Sequence, residues 1–271
     1  MRNNWKDSEA KKYILYYKKK GISKDLALRI YTTRLLGKEK KLVLHGGGNT
    51  SMKATIDNIL NHKENIMYIK GSGWNMESID YLGLPAVELD PLLKTKNLSE
   101  MSDFEMVNLQ RKCLLKSNAP NPSVETLLHA FLPHKYIDHT HANSILSLID
   151  QPNDIKICRD TYGDRVGIVP YIMPGFQLAK KSFEVFIKNK NILGLILLKH
   201  GIFSFGDNAQ ESYKRMIDLV TIAEKKINKT VSKFSIKNLN YNNKKINIEL
   251  NDLLPLIRSK IAYRDKNGLY I

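Results

Sequence analysis

The stretch Tyr136-Ile137-Asp138-His139-Thr140-His141-Ala142 sets two histidines two residues apart in a strand-like segment. Side chains on a strand alternate between its faces, so His139 and His141 project from the same side. A third histidine closes Leu197-Leu198-Lys199-His200-Gly201, at the end of another apolar run, and Glu125 stands upstream near a predicted helix start. Three protein ligands with one position left open distinguish a catalytic zinc site from a closed structural one. The pattern points to a metal-dependent enzyme with His139, His141 and His200 as candidate ligands.

Outward from these residues lie two glycine runs, each following an apolar segment. They are His45-Gly46-Gly47-Gly48-Asn49-Thr50-Ser51 and Lys70-Gly71-Ser72-Gly73. Glycine lets a backbone approach a ligand closely, and both runs can turn N–H groups and small hydroxyls toward a phosphate. Read alone, each serves more simply as a tight turn. Neither matches the P-loop or the dinucleotide fingerprint. Beside a histidine trio, the pair makes a credible anion cradle. Glu125 sits where a helix dipole favours a carboxylate, and capping that helix is its plain alternative role. His129 shares a helix face with Glu125 at i+4. A hydrogen-bonded packing role suits it better than metal ligation, as it does His45, His62 and His134, although His45, beside the glycines, is placed where it could touch a ligand.

The patterning predicts helices over residues 8–20, 23–37, 102–116 and 176–189, one carrying Glu125 from residue 121, and a long one after Asn208. Gly21 stops the first, Ser23 caps the second, and Ser102 with Glu105 has capping-box spacing. Pro122 fits the first turn of the helix with Glu125. Asn208 and Glu211 cap the long helix, whose Tyr213, Met216, Ile217, Val220 and Ala223 keep the 3.6 period. Strands are predicted at 42–44, 65–70, 136–142, 167–172 and 193–199. The last is apolar throughout, as in a strand covered on both faces. The result is one α/β domain over residues 1–230, with a polar extension of the same domain over 231–271.

A chain of 271 residues can bury a sizeable core, and 42% hydrophobic with 26% charged residues is ordinary for a globular protein. The net charge of +16 invites a nucleic-acid reading. Its lysines, however, are scattered among Asn and Ile rather than gathered into a basic stripe with interleaved aromatics. No nucleic-acid partner is therefore expected, although the charge can help attract an anionic substrate. The two cysteines, Cys113 and Cys158, lie far apart, which suits a reducing compartment. No apolar leader and no run near eighteen apolar residues is present, so a soluble, cytoplasmic protein without a membrane partner is expected.

On Gly48-Asn49-Thr50-Ser51, Gly71-Ser72-Gly73, Pro122-Ser123-Val124-Glu125 with His129, His139-Thr140-His141 and His200-Gly201, the chain resembles the class II aldolase/adducin family over roughly residues 40–225. Within it the likeness is strongest to the aldolase half of bifunctional rhamnulose-1-phosphate aldolase/alcohol dehydrogenases. Lys70-Gly71-Ser72-Gly73-Trp74, Ala119-Pro120-Asn121-Pro122-Ser123-Val124-Glu125 and the segment 162–171 carry that likeness. The resemblance implies a three-layer α/β/α fold with a central, largely antiparallel sheet, and homotetramers with sites near subunit interfaces. By position it implies one Zn2+ per chain on His139, His141 and His200. It implies substrate-phosphate contacts from Gly48, Asn49, Ser72, Gly73 and Ser123, and Glu125 as catalytic acid/base. An interface tyrosine such as Tyr162 would be a candidate proton donor.

The implied chemistry is retro-aldol cleavage of a ketose 1-phosphate, most simply L-rhamnulose 1-phosphate, to dihydroxyacetone phosphate and an aldehyde. The cleavage leaves an enediolate whose oxygens a divalent cation can stabilise as charge develops. Glutamate at 125 favours aldolase or dehydratase chemistry, whereas aspartate there would resemble the family's pentulose-phosphate epimerases. Val124 departs from the serine that often precedes the glutamate in the family's aldolases and supplies no hydroxyl. No strand–glycine–helix dinucleotide site is present, so a dehydrogenase activity is expected on another polypeptide or not at all. The alternatives are a sugar-phosphate dehydratase or epimerase of the same family, and a non-catalytic adducin-like interaction module.

Overall fold

The histidine-bearing stretch enters the middle of a seven-stranded sheet. In chain order its strands are β1 (Asn49–Asp57), β2 (Lys63–Ile69), β3 (Ala86–Glu88), β4 (Tyr136–Thr140), β5 (Val166–Val169), β6 (Gly194–Leu197) and β7 (Gly201–Gly206). Their spatial order is β3-β2-β1-β4-β7-β6-β5. Every neighbouring pair is antiparallel except β5–β6. The computed structural model describes residues 1–231, 249–261, 263–265 and 268–270, and the chain divides into two compact units, Met1–Thr230 and Val231–Ile271. Of the predicted polar extension, residues 232–248 lie outside the described residues.

Helices cover both faces of the sheet. In chain order they are α1 (Asp7–Lys18), α2 (Lys24–Lys38), α3 (Leu89–Lys94), α4 (Asp103–Lys112), α5 (Thr126–Phe131), α6 (Asn143–Ile149), α7 (Asp154–Tyr162), α8 (Phe176–Lys188) and α9 (Ala209–Val231). On one face Met67, Ile69, Ile137, Leu195, Phe203 and Phe205 of the strands pack against α3, α4, α5 and α8. On the other, Ile196 and Ile202 meet α6, α7 and α9, while Met52 and Tyr136 meet α1 and α2. Each fully buried Leu, Ile or Phe contributes on the order of 1.5–3 kcal/mol, so these layers are the main source of stability. This is the expected three-layer α/β/α arrangement. The second unit holds α10 (Leu250–Ile261) and a hairpin of β8 (Tyr263–Asp265) with β9 (Gly268–Tyr270).

Local signals explain most helix boundaries. Ser23 accepts from the Leu26 N–H, Ser102 and Glu105 form the reciprocal capping box, and Asn208 accepts from the Glu211 N–H at 2.9 Å. Two expectations fail. Residues 42–44 are turn and loop, with Leu42 and Val43 buried as plugs and Leu44 exposed. The helix with Glu125 begins at Thr126, because Pro122 is held in a β-bridge to Gly71.

Strand alternation splits β4 between the layers. Ile137 and His139 face α5 and α8, whereas Asp138 faces α2 and α9. There Asp138 forms a fully buried ion pair with Arg29 at 2.5 Å and accepts from the Ser212 hydroxyl. The same guanidinium also donates to the Ser51 and Ile137 carbonyls and to Thr32. Next to it the Thr33 and Thr50 hydroxyls meet at 2.7 Å.

Candidate metal and anion site

His139 lies at the end of β4, His141 just beyond it, and His200 in the tight reversal between β6 and β7. That reversal puts Lys199 at φ 58°, a left-handed conformation that non-glycine residues adopt at a cost. One ligand atom from each histidine lies within 4.8 Å of the others, and the His139 and His141 Nε2 atoms are 3.0 Å apart. Gly201 makes room for this: a Cβ there would meet His141 Cδ2 at 3.0 Å and His139 Cε1 at 3.1 Å.

His139 Nδ1 is 3.1 Å from the Ile202 carbonyl, which can only accept, so this nitrogen carries the proton and Nε2 presents a lone pair. Burial depresses all three basicities, His139 well below the ordinary range and His200 to about 4, with the neighbouring His141 adding to the effect on both. The rings are therefore neutral and fit to ligate. His200 Nδ1 is buried without a hydrogen-bond partner among the described residues. Three neutral imidazoles converging on one point, with the Nε2 lone pair of His139 turned toward the other two rings, suit a divalent cation.

Glu125 is the N-cap residue of α5, yet its side chain makes no capping bond. It turns to the histidines instead. Oε2 lies 3.3 Å from His139 Nε2, and Oε1 lies 3.4 Å from His200 Nε2. The Asn49 amide donates to Oε2 at 2.6 Å, while Oε1 is buried with no hydrogen-bond partner among the described residues. Desolvation pushes the carboxyl up to about 7, against the opposing pull of the Asn49 hydrogen bond and the Lys70 charge. An acid balanced near neutrality can both give and take a proton.

The two glycine runs meet beside this carboxyl. A Cβ on Gly46 would sit 3.1 Å from the Gly73 carbonyl, and Lys70 ties the runs together by donating to the carbonyls of Gly46 (3.0 Å) and Gly71 (3.3 Å). Gly48 has φ 65° and lies so close to the His139 carbonyl and Val43 that any side chain would clash. Asn49 opens β1, and its amide also donates to Ser123 Oγ at 3.1 Å. Ser72 is exposed and directs its N–H to the Asn121 carbonyl, so it offers a hydroxyl; the N–H of Gly73 has no acceptor among the described residues. Lys70 is 2% exposed, and burial lowers it to about 8, with Glu125 opposing that shift.

All nine predicted site residues thus fall in one neighbourhood. Sequence reasoning missed Lys70 as a member, although the residue stands at the head of the second glycine run. It also missed that Asn49 begins a strand, where Asn49, Ser51 and Lys53 alternate with Thr50 and Met52. Tyr162 does not belong: it is buried and donates to the Leu219 carbonyl, with its phenol raised far above the usual range by burial. Val124 is half-exposed and brings no hydroxyl. Cys113 and Cys158 are free and buried. No helix among the described residues is long and apolar enough to cross a membrane.

Residues 28–227 match the family described as the Class II Aldolase and Adducin N-terminal domain. Over 210 residues the chain is 36% identical to a curated Bacillus subtilis (strain 168) protein named "Uncharacterized oxidoreductase YuxG"; the match takes in 76% of this chain and 30% of that protein. Among solved structures, the N-terminal class II aldolase domain of a conserved protein from Thermoplasma acidophilum is similar at TM-score 0.75 and 36% identity, over 84% of this chain and 99% of the other. A sugar-phosphate aldolase from Thermotoga maritima shares the fold at TM-score 0.56 and 16% identity, over 76% and 97% of the two chains.

Proposed function

The chain belongs to the class II aldolase and adducin family, and on that premise we propose that it is a zinc-dependent aldolase acting on a ketose 1-phosphate. L-Rhamnulose 1-phosphate is the substrate we put first, giving dihydroxyacetone phosphate and lactaldehyde in a cytoplasmic homotetramer. The observation that carries the reading is the Glu125 carboxyl, within 3.4 Å of two of three converging neutral histidines and beside two touching glycine runs.

His139, His141 and His200 would hold the cation. When bound, zinc draws electron density from the ketose oxygens on which negative charge develops. The remaining steps fall to side chains. Ser72, Gly73 and Ser123 bind the phosphate, with the backbone of Gly48 shaping the floor and the Lys70 ammonium supplying opposite charge. As the C3–C4 bond breaks, the C4 hydroxyl gives its proton to solvent water and becomes the aldehyde carbonyl, while the electron pair of the bond stays on C3 and spreads onto the C2 oxygen. Glu125, protonated, delivers its proton to C3, and in the reverse direction its carboxylate removes it. Asn49 holds the carboxylate in line through its amide N–H.

The test is metal content on purified protein together with dihydroxyacetone-phosphate release from L-rhamnulose 1-phosphate. About one zinc per chain with release is the expected result. Zinc without release from this or related ketose 1-phosphates would move the reaction to dehydration or epimerisation. No zinc after reconstitution would overturn the enzyme reading in favour of an interaction module.

A further inference from the structure

At every second position β1 presents a polar side chain to α5 and the segment that follows it. Lys53 donates to the carbonyls of His129 (2.8 Å), Leu132 (2.5 Å) and His134 (3.0 Å). Ser51 Oγ lies 2.7 Å from His129 Nδ1, and Asn49 Oδ1 lies 2.5 Å from His129 Nε2. On its far side the Asn49 amide nitrogen meets Glu125 Oε2 at 2.6 Å and Ser123 Oγ at 3.1 Å. An unbroken buried chain therefore runs from Ser51 through His129 and Asn49 to Glu125.

His129 is fully buried, and desolvation, seconded by the Lys53 and Arg29 cations, keeps its ring neutral. A neutral ring has one proton, so the chain can be threaded in two directions. In the first, Ser51 donates to Nδ1, Nε2–H donates to the Asn49 oxygen, and the Asn49 nitrogen faces Glu125. In the second every bond is reversed, and the amide oxygen faces the carboxylate. Only the first gives an ionised Glu125 a donor. It also lets Ser123 accept from Asn49, which leaves the serine hydroxyl proton for a bound anion.

We propose that His129, as its Nε2–H tautomer, is the positioning residue that fixes the Asn49 amide with its nitrogen toward Glu125 and Ser123. The ring touches no ligand; it acts by denying the amide its other orientation. Its kinetic consequence rests on the aldolase reading, whereas its tautomeric state does not.

The experiment has two arms. In metal-free protein labelled with 15N-histidine, long-range 1H–15N correlations read each ring's tautomer, and loss of one set in His129→Gln assigns it. An Nε2–H pattern is expected; an Nδ1–H pattern overturns the proposal whether or not the protein is an aldolase. In the kinetic arm, His129→Leu should lower kcat about 10–100-fold, as loss of a supporting hydrogen bond commonly does, with KM changed less. His129→Gln, which keeps a donor toward Asn49, should recover most of that loss. In an Asn49→Ala background, His129→Leu should cost nothing further. Unchanged kcat in His129→Leu, or fully additive losses, would sink the proposal while leaving the aldolase reading intact. Where the leucine variant does not fold, the tautomer and the glutamine variant decide.

Discussion

Behind the histidines, on the opposite face of β1 and β4, lies the second buried polar cluster, Arg29 with Asp138, Thr32 and Ser212. Both clusters hang on the same two strands, the Arg29 cluster fully buried and the histidine cluster partly open at His141 and His200. They differ in how they end. The Arg29 cluster closes on itself: opposite charges meet, carbonyls and hydroxyls take up the remaining donors, and only Nε of the guanidinium stays without a partner among the described residues. The Glu125 cluster stops short, with a carboxylate oxygen and an imidazole nitrogen unpaired among the described residues and neutral rings turned toward one another. A polar cluster that closes on itself holds strands and helices in register. One that stops short has a place for something from outside.

That contrast should survive mutation in opposite directions. The largest effect is expected on the closed side: Asp138→Asn or Arg29→Met strands a buried charge and should destabilise by about 3–5 kcal/mol in denaturant titrations. A loss below ~1 kcal/mol would show that the pair is not structural. On the open side, removing charge should help. The folded carboxyl of Glu125 lies at about 7 against an ordinary 4.5, so between these pH values the folded state of the metal-free protein binds a proton that the unfolded chain has lost. Its contribution to stability therefore falls as pH rises through that window. Metal-free Glu125→Gln should match the parent near pH 4.5 and exceed it by about 3 kcal/mol at pH 7.5, since each tenfold change in acidity corresponds to ~1.4 kcal/mol. Parallel stability–pH curves for the two proteins would refute this.

Third in size is ligand linkage. Zinc at a hundredfold excess over its Kd should raise the stability of the parent by about 2.7 kcal/mol and leave His139→Ala unmoved. An equal gain in both would place the ion elsewhere. Smallest is Thr50→Val, which breaks the Thr33–Thr50 hydroxyl pair on the closed side and should cost about 1 kcal/mol, without change in zinc affinity. Weakened zinc binding in that variant would mean that the two faces are not independent.

The same contrast explains what could be read in advance. The histidine trio was legible because strand alternation and a short hairpin translate spacing directly into geometry. The long α9 was legible because its apolar stripe is unbroken. β1 was not: its inward residues Asn49, Ser51 and Lys53 are polar and serve contacts with α5, so no apolar alternation marks the strand. β7 was hidden because Gly201-Ile202-Phe203-Ser204-Phe205-Gly206 follows the apolar run of β6 after only three residues. Pro122 misled because a proline suits a helix start as well as a loop, and only the partner strand segment at Gly71 settles which. Arg29 and Asp138 lie far apart in the chain, and nothing local in either announces the other.

The register of β1 against β4 sets Asn49 beside His139, and that of β4 against β7 sets His139 beside Phe203. Each pairing joins segments distant along the chain, and closing such loops makes assembly of a sheet slow. A chain still missing either pairing owns all three histidines but no cage for them. On the proposed metal reading, ion capture would mark the end of folding rather than its beginning, and the rate at which zinc is taken up after dilution from denaturant would time the last strand into place.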